Sequence, residues 1–382
     1  LDISKFTSIY KNVSIKNIAE KRNECKKKDK SILFEESSKY NVDSFALEEG
    51  KHRYSITSDD ITFETLFIDN IESDILYVSL SSAAHVSYPM FRRWTYQKFL
   101  NVKMLCVDDP SFENFELKYT RWFYGTREKS YLMSLVPIIQ KFMDLLSIPR
   151  SNVIFVGSSA GGYASLYLAN VMDGTNAFAL APQIKPALWR NGRFNNRYEE
   201  RGIDLFSKDS FHRNNLILTA QHSLFFIAYN VLSDNDIVQI SQLCKNQNID
   251  SDNLKYGITQ YGNIILWSHA NNGTSKHSST PERLEFKLME FFIKQIHSGI
   301  SINEFNKFSQ LINEYMNIKY SLEKSNAKYS KQCDLYQDII IKQKNLLKDK
   351  DKIISKNKKY NAKLMKKIDE QSKKIKKIKS SS

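Results

Sequence analysis

The sequence predicts an α/β fold with a doubly wound, mostly parallel sheet, and three observations predict it. Short apolar runs alternate with helical patterns from Ile75 to His297, as expected for strands covered by helices on both faces. A glycine-rich turn, Gly157-Ser158-Ser159-Ala160-Gly161-Gly162, carries one of those runs directly into a helix. Two arms of period two lead in, Arg53 to Thr57 and Ile61 to Ile68 around Ser58-Asp59-Asp60, which is a hairpin pattern.

Taken in order, residues 1 to about 45 mix helical and polar signals, with Val13 to Lys28 a short amphipathic helix that carries no functional reading. After the hairpin come a strand at Ile75 to Leu80, a helix through Arg92 to Leu100, a strand at Val102 to Val107 and a helix at Tyr131 to Leu146. The run Asn152 to Val156 reads as a buried strand and Tyr163 to Ala169 as the helix behind it. Further strands are expected at Ala177 to Ala181, Leu224 to Tyr229 and Asn263 to Trp267, and a last helix at Pro281 to His297. Beyond Ile302 the pattern is continuous helix. Ile339, Leu346, Ile353 and Tyr360 recur every seven residues, and Leu322, Tyr329, Tyr336 and Leu364 lie on a second track interrupted by Gln343, Lys350 and Asn357. This predicts a weakly specified coiled coil and hence a homo-oligomer. The expected organisation is a lead-in at 1–50, an α/β domain at 51–300 with an insertion near 188–213, and a helical region at 301–382 ending in a Lys-rich tail.

The 382 residues are 41% hydrophobic and 12% aromatic, enough for one large core and an appendage. Four widely separated cysteines, Cys25, Cys106, Cys244 and Cys333, suggest neither a disulfide framework nor a metal site. No charged start followed by an apolar stretch is legible, and no run approaches the roughly 18 apolar residues of a membrane span. A cytoplasmic location is therefore expected. The net charge of +14 is uneven, because residues 351–382 hold twelve lysines against Asp351, Asp369 and Glu370, a balance of +9. Such a tail suits anionic lipid headgroups at the inner face of a membrane. Deleting 351–382 is expected to release the protein from anionic vesicles, and unchanged binding in a sedimentation assay would contradict this. Nucleic acid is not an expected partner, since aromatic interleaving and nucleic-acid motifs are lacking.

A strand, Gly-x-Ser-x-Gly and a helix in succession form a nucleophile elbow. Ser159 sits where only very small residues fit two positions away on either side, and Gly157 and Gly161 occupy those positions. The amide of Ala160, at a helix N-terminus, is placed to donate to a developing oxyanion. Antiparallel strands leading in and a serine after a central strand resemble the α/β-hydrolase sheet over residues 50 to 300. In that fold an acid and then a histidine follow the serine, each on a loop after a strand. His277, in the loop before the last helix, is preferred as the base over His269 at a strand end. Asp234 is preferred as the acid because it lies nearer its strand end, with Asp236 the rival and the other carboxylate capping the helix that follows. Ser82 or Ala83 is the expected second oxyanion donor. His85 and Asp109 are candidate substrate contacts.

The runs Val107 to Phe112, Trp122 to Arg127, Val156 to Tyr163 and Ala181-Pro182-Gln183 resemble bacterial surface-glycan proteins of α/β-hydrolase fold. These include capsule biosynthesis proteins of the XcbB/CpsF type and capsule O-acetyltransferases. The resemblance implies acetyl transfer from acetyl-CoA, as co-substrate and with no tightly bound cofactor, to a hydroxyl of a capsular or surface polysaccharide. Two other readings are an esterase or deacetylase with the same residues, and a non-catalytic scaffold in glycan assembly. Within the insertion, whose position suits a lid, Arg193, Arg197 and Arg201 are spaced by four and form one stripe if helical. That stripe is a candidate contact for CoA phosphates or an anionic glycan.

Overall fold

In the computed structural model the described residues are 36–82, 89–111, 122–125, 129–192, 215–254 and 257–269, with His277, Ile293 and separate positions between 339 and 365. The chain divides into two compact units, residues 1–323 and 324–382.

The first unit is built on ten strands: β1 (Ser38–Asn41), β2 (Lys51–Ser58), β3 (Ile61–Ile68), β4 (Leu76–Leu80), β5 (Lys103–Val107), β6 (Val153–Ser158), β7 (Asn176–Leu180), β8 (Leu224–Asn230), β9 (Gly257–Tyr261) and β10 (Ile264–His269). They form one sheet in the order β1-β2-β3-β5-β4-β6-β7-β8-β10-β9. Strand β3 runs antiparallel to β2 and β5, whereas β5, β4, β6, β7, β8 and β10 are mutually parallel. Without the edge strands β1 and β9, this is the strand order of an α/β hydrolase, with β6 near the centre.

Strands β4, β5, β6, β7 and β8 are buried along their whole length, so both faces need cover. On one face Val78, Phe155 and Ile227 pack against α1 (Tyr131–Leu146), α2 (Ala160–Val171) and α3 (Asp234–Asn246) through Leu135, Leu166 and Ile240. On the other, Tyr77, Ile154, Phe226 and Trp267 meet Phe91, Leu100 and Ile293. Burying a side chain of this size is worth about 1.5–3 kcal/mol.

Three elements differ from the sequence reading. Strands β1 and β9 were not expected: β1 is four mostly exposed residues at one edge, and β9 is a short arm paired antiparallel to β10 at the other. The helix expected over Arg92 to Leu100 is instead a 3₁₀ turn (Trp94–Tyr96) followed by one helical turn (Gln97–Leu100), because Arg93 adopts φ 59° and interrupts it. Of the insertion, residues 188–192 close a 3₁₀ helix (Pro186–Gly192), and Arg193 to Arg213 lie outside the described residues. In the second unit the described positions from Ile339 to Met365 are helical, and Ile339, Ile341 and Met365 are exposed. The expected coiled-coil pairing lies outside what these residues describe. Among the described residues no helix is long and apolar enough to cross a membrane.

Candidate active site

The turn from β6 to α2 is set by small residues. A Cβ on Gly157 would lie 2.0 Å from the carbonyl oxygen of Gly161, and one on Gly161 would lie 2.7 Å from the carbonyl oxygens of Leu80 and Ser81. Their absence lets the chain reverse sharply and lets the helix press against the end of β4. Ser159, between them, has φ 56° and ψ −117°, a conformation costing about 1–3 kcal/mol in a non-glycine residue. Backbone bonds hold it there: its N–H donates to Leu180 O at 2.9 Å, and its carbonyl accepts from Tyr163 N at 3.1 Å. Ala160 opens α2, so its N–H is among the first four with no intrahelical acceptor.

The Ser159 hydroxyl lies 2.9 Å from His277 Nε2, and His277 Nδ1 lies 2.6 Å from Asp236 Oδ1. These partners set the tautomer, with Nδ1–H donating to the carboxylate and Nε2 accepting from the serine. Asp236 is 1% exposed. Its Oδ1 also accepts from Ser233 Oγ at 2.9 Å, and its Oδ2 accepts from Asn230 N at 3.1 Å. It lies in the first turn of α3, where the helix dipole favours a negative charge. The preference for Asp234 is therefore corrected. Ser233, not a carboxylate, caps α3, which makes Asp234 the first helical residue and leaves it exposed. Two residues further on, Asp236 faces the opposite way, into the protein. The indole of Trp189, 6% exposed, packs against the imidazole with ring centroids 4.3 Å apart and the planes tilted by 51°. A hydroxyl, an imidazole and a buried carboxylate in this line can pass the serine proton to nitrogen as the oxygen attacks a carbonyl.

One contact was not anticipated. Gln183 Nε2 donates to Ser159 Oγ at 2.7 Å, while Trp122 Nε1–H donates to Gln183 Oε1. The indole thus fixes which end of the amide faces the serine. Trp122 and Phe123 have φ 56° and 53°, and Phe123 N donates to Asp109 Oδ2 at 2.7 Å. Asp109 Oδ1 accepts from Ser111 N at 3.0 Å and Ser111 Oγ at 2.6 Å. Asp109, expected as a substrate contact, is 3% exposed, and its carboxylate anchors the turn that presents Trp122. In the sequence Gln183 stood only as part of the run Ala181-Pro182-Gln183 that carries the resemblance; the close approach of Gly162 to Pro182, where a Cβ would lie 3.1 Å away, packs α2 against that run.

Ser82 follows the end of β4, and Ala83, His85, Arg193 and Arg197 lie outside the described residues. His269 ends β10, 6% exposed. His222 is on the surface against Asp173 at 2.8 Å. Among the described residues no cluster of three or more His, Cys, Asp or Glu is arranged to hold a metal ion.

Asp108 braces the same end of the sheet. Its Oδ2 accepts from Met90 N at 2.6 Å and its Oδ1 from Asp109 N at 2.9 Å. Burial pushes its pKa up to about 7. The folded state therefore binds this proton more tightly than the unfolded chain does, and stability falls as pH rises from about 4 to about 7. Asp108→Asn removes that slope. Relative to wild type the variant should gain roughly 1 kcal/mol per pH unit across the window, as read by urea denaturation. Parallel pH profiles for the two proteins would contradict this.

No protein-family model and no curated protein sequence matches the chain. Several solved structures do. The glycosylation-associated protein complex of Streptococcus agalactiae aligns at 17% identity and TM-score 0.38, over 57% of this chain and 41% of that one. The present chain thus spans about two-fifths of that relative. The capsule O-acetyltransferase of Neisseria meningitidis serogroup A aligns at 16% identity and TM-score 0.44, over 66% of this chain and 97% of that one. An esterase of the bacterial hormone-sensitive lipase family aligns at 11% identity and TM-score 0.39, over 66% and 87%. With TM-scores below 0.5, none of these likenesses bears on function.

Proposed function

We propose that this chain is a serine-dependent O-acyltransferase that moves acetyl from acetyl-CoA to a hydroxyl of a bacterial capsular or surface polysaccharide. The observation that carries the reading is the line from Asp236 through His277 to the strained Ser159. In this reading Ser159 Oγ attacks the thioester carbonyl and gives its proton to His277 Nε2, and Asp236 stabilises the imidazolium. The Ala160 N–H, with a second amide from Ser82 or Ala83, meets the oxyanion. CoA leaves as the thiol with that proton. A sugar hydroxyl then attacks acyl-Ser159, and His277 takes its proton and returns it to Ser159 Oγ as the ester bond breaks.

The polysaccharide acceptor and acetyl-CoA come from the resemblance in the sequence. The preference for transfer over hydrolysis comes from the same resemblance. The experiment is incubation of wild type and Ser159→Ala with acetyl-CoA, with and without capsule-type oligosaccharides, following acetyl by mass spectrometry. Acetyl on sugar, lost in the variant, is the expected result. Release only as acetate would make the chain an esterase, and no Ser159-dependent turnover would make it a scaffold.

Arg193 and Arg197 are candidate contacts for the CoA phosphates or for an anionic glycan, and the first of these is the one tested. Replacing both by alanine should raise KM for acetyl-CoA about tenfold or more with little change in kcat, since such contacts bind ground and transition states alike. An unchanged KM for acetyl-CoA in initial-rate assays would remove them from CoA binding and leave the anionic glycan as their candidate ligand.

A further inference from the structure

We propose that Gln183, oriented by Trp122, binds the oxygen of the acceptor hydroxyl during attack on the acyl-enzyme. This rests on the reading of Ser159 as the acylated residue. In the free protein the Gln183 amide is satisfied at both ends, its oxygen by Trp122 Nε1–H and its nitrogen by Ser159 Oγ at 2.7 Å. Gln183 is fully buried at 0% exposed, so no bulk water replaces a lost partner.

Acylation changes that balance. Once Ser159 Oγ becomes the bridging oxygen of an ester it is a much poorer acceptor, and the Gln183 N–H is left pointing at the reacting centre. A buried donor without a partner costs about 1–3 kcal/mol. The amide cannot turn away, because Trp122 holds its oxygen and the strained turn at Trp122 and Phe123 is anchored by Asp109. The oxygen that next arrives beside Ser159 Oγ is that of the attacking hydroxyl. It meets two groups already directed at Oγ: His277 Nε2, 2.9 Å from it, and Gln183 Nε2. The hydroxyl gives its proton to His277 Nε2 and accepts from Gln183 through a lone pair not used in attack. Its oxygen bonds the acyl carbon, the carbon–Oγ bond breaks, and Oγ recovers the proton from His277. Gln183 then returns to Ser159. The inference thus gives the site a two-point acceptor subsite.

The leaving group distinguishes this role from a structural one. Acylation by p-nitrophenyl acetate expels a stable phenolate that needs no hydrogen bond, whereas deacylation needs the acceptor oxygen positioned. With the full chain, pre-steady-state release of p-nitrophenolate gives acylation as a burst, and the following steady state gives deacylation, with water or an added polyol as acceptor. Gln183→Met keeps length without a donor, and Trp122→Phe keeps the ring but frees the amide. In Gln183→Met deacylation should fall about 100-fold, the scale of a misplaced reactant, and at least about tenfold more than the burst rate does. Trp122→Phe should show the same asymmetry at smaller size. Equal losses in both phases, or no loss in either, in variants with wild-type thermal unfolding would overturn the inference alone. Failure of wild-type Ser159 to form an adduct with a fluorophosphonate probe would overturn the acyl-enzyme reading and this inference with it.

Discussion

Asp236→Asn is expected to lower acyl transfer about 10⁴-fold, while Asp234→Asn leaves it within about threefold. The two residues are two apart on one helix and differ in everything that matters to an imidazole. Asp236 is buried and bonded to His277 Nδ1 at 2.6 Å, whereas Asp234 is exposed at the first position of α3. An asparagine at 236 can present its NH₂ to the ring, favouring the tautomer with a proton on Nε2, which then cannot accept from Ser159. Its loss should therefore appear in kcat with the fold intact. Steady-state rates on p-nitrophenyl acetate read both variants. Equal losses, or a loss confined to Asp234→Asn, would contradict the geometry.

Gly157→Ala is expected to cost about 3 kcal/mol or more of stability and all measurable activity. The added methyl would fall 2.0 Å from Gly161 O and 2.1 Å from Gly161 C, both backbone atoms of the helix it must face. No rotamer change relieves such an overlap, so the turn must open and Ser159 must leave its position. Gly161→Ala should follow closely, since its methyl meets two backbone carbonyls at 2.7 Å. Gly162→Ala should be mildest, with Pro182 at 3.1 Å able to yield by a few tenths of an ångström. Thermal unfolding of the three variants checks the order, and a fully stable, active Gly157→Ala would contradict it.

The series also shows why the fold was legible. Runs such as Val153 to Val156 are apolar on both faces because helices cover both, and the hairpin alternates around Asp59 and Asp60, whose φ values of 50° and 62° form its turn. Strands β1 and β9 escaped because edge strands carry little apolar pattern. At the site, Ser159, His277 and Asp236 all stood among the candidates, since chain order and loop position narrow the choices. The ranking of Asp234 over Asp236 relied on distance from the strand. The better signal was Ser233-Asp234-Asn235-Asp236, where a serine cap turns the residue three positions on toward the protein. Gln183 and Trp122 are 61 residues apart, and the left-handed backbone at Trp122 and Phe123 that presents the indole falls on two bulky residues, with no glycine there to announce it. Both residues lie in runs that carried the resemblance, Trp122 to Arg127 and Ala181-Pro182-Gln183, but nothing in those runs shows that the two side chains meet.

In the proposed reaction Ser159 carries the acyl group. The direct measurement is mixing of the full chain with acetyl-CoA in the absence of acceptor, followed by rapid acid quench and peptide mass mapping. One acetyl group is expected on the peptide containing Ser159, absent in Ser159→Ala and accumulating further in Gln183→Met. Acetyl found on another residue, or none on Ser159 while CoA is still released, would contradict it.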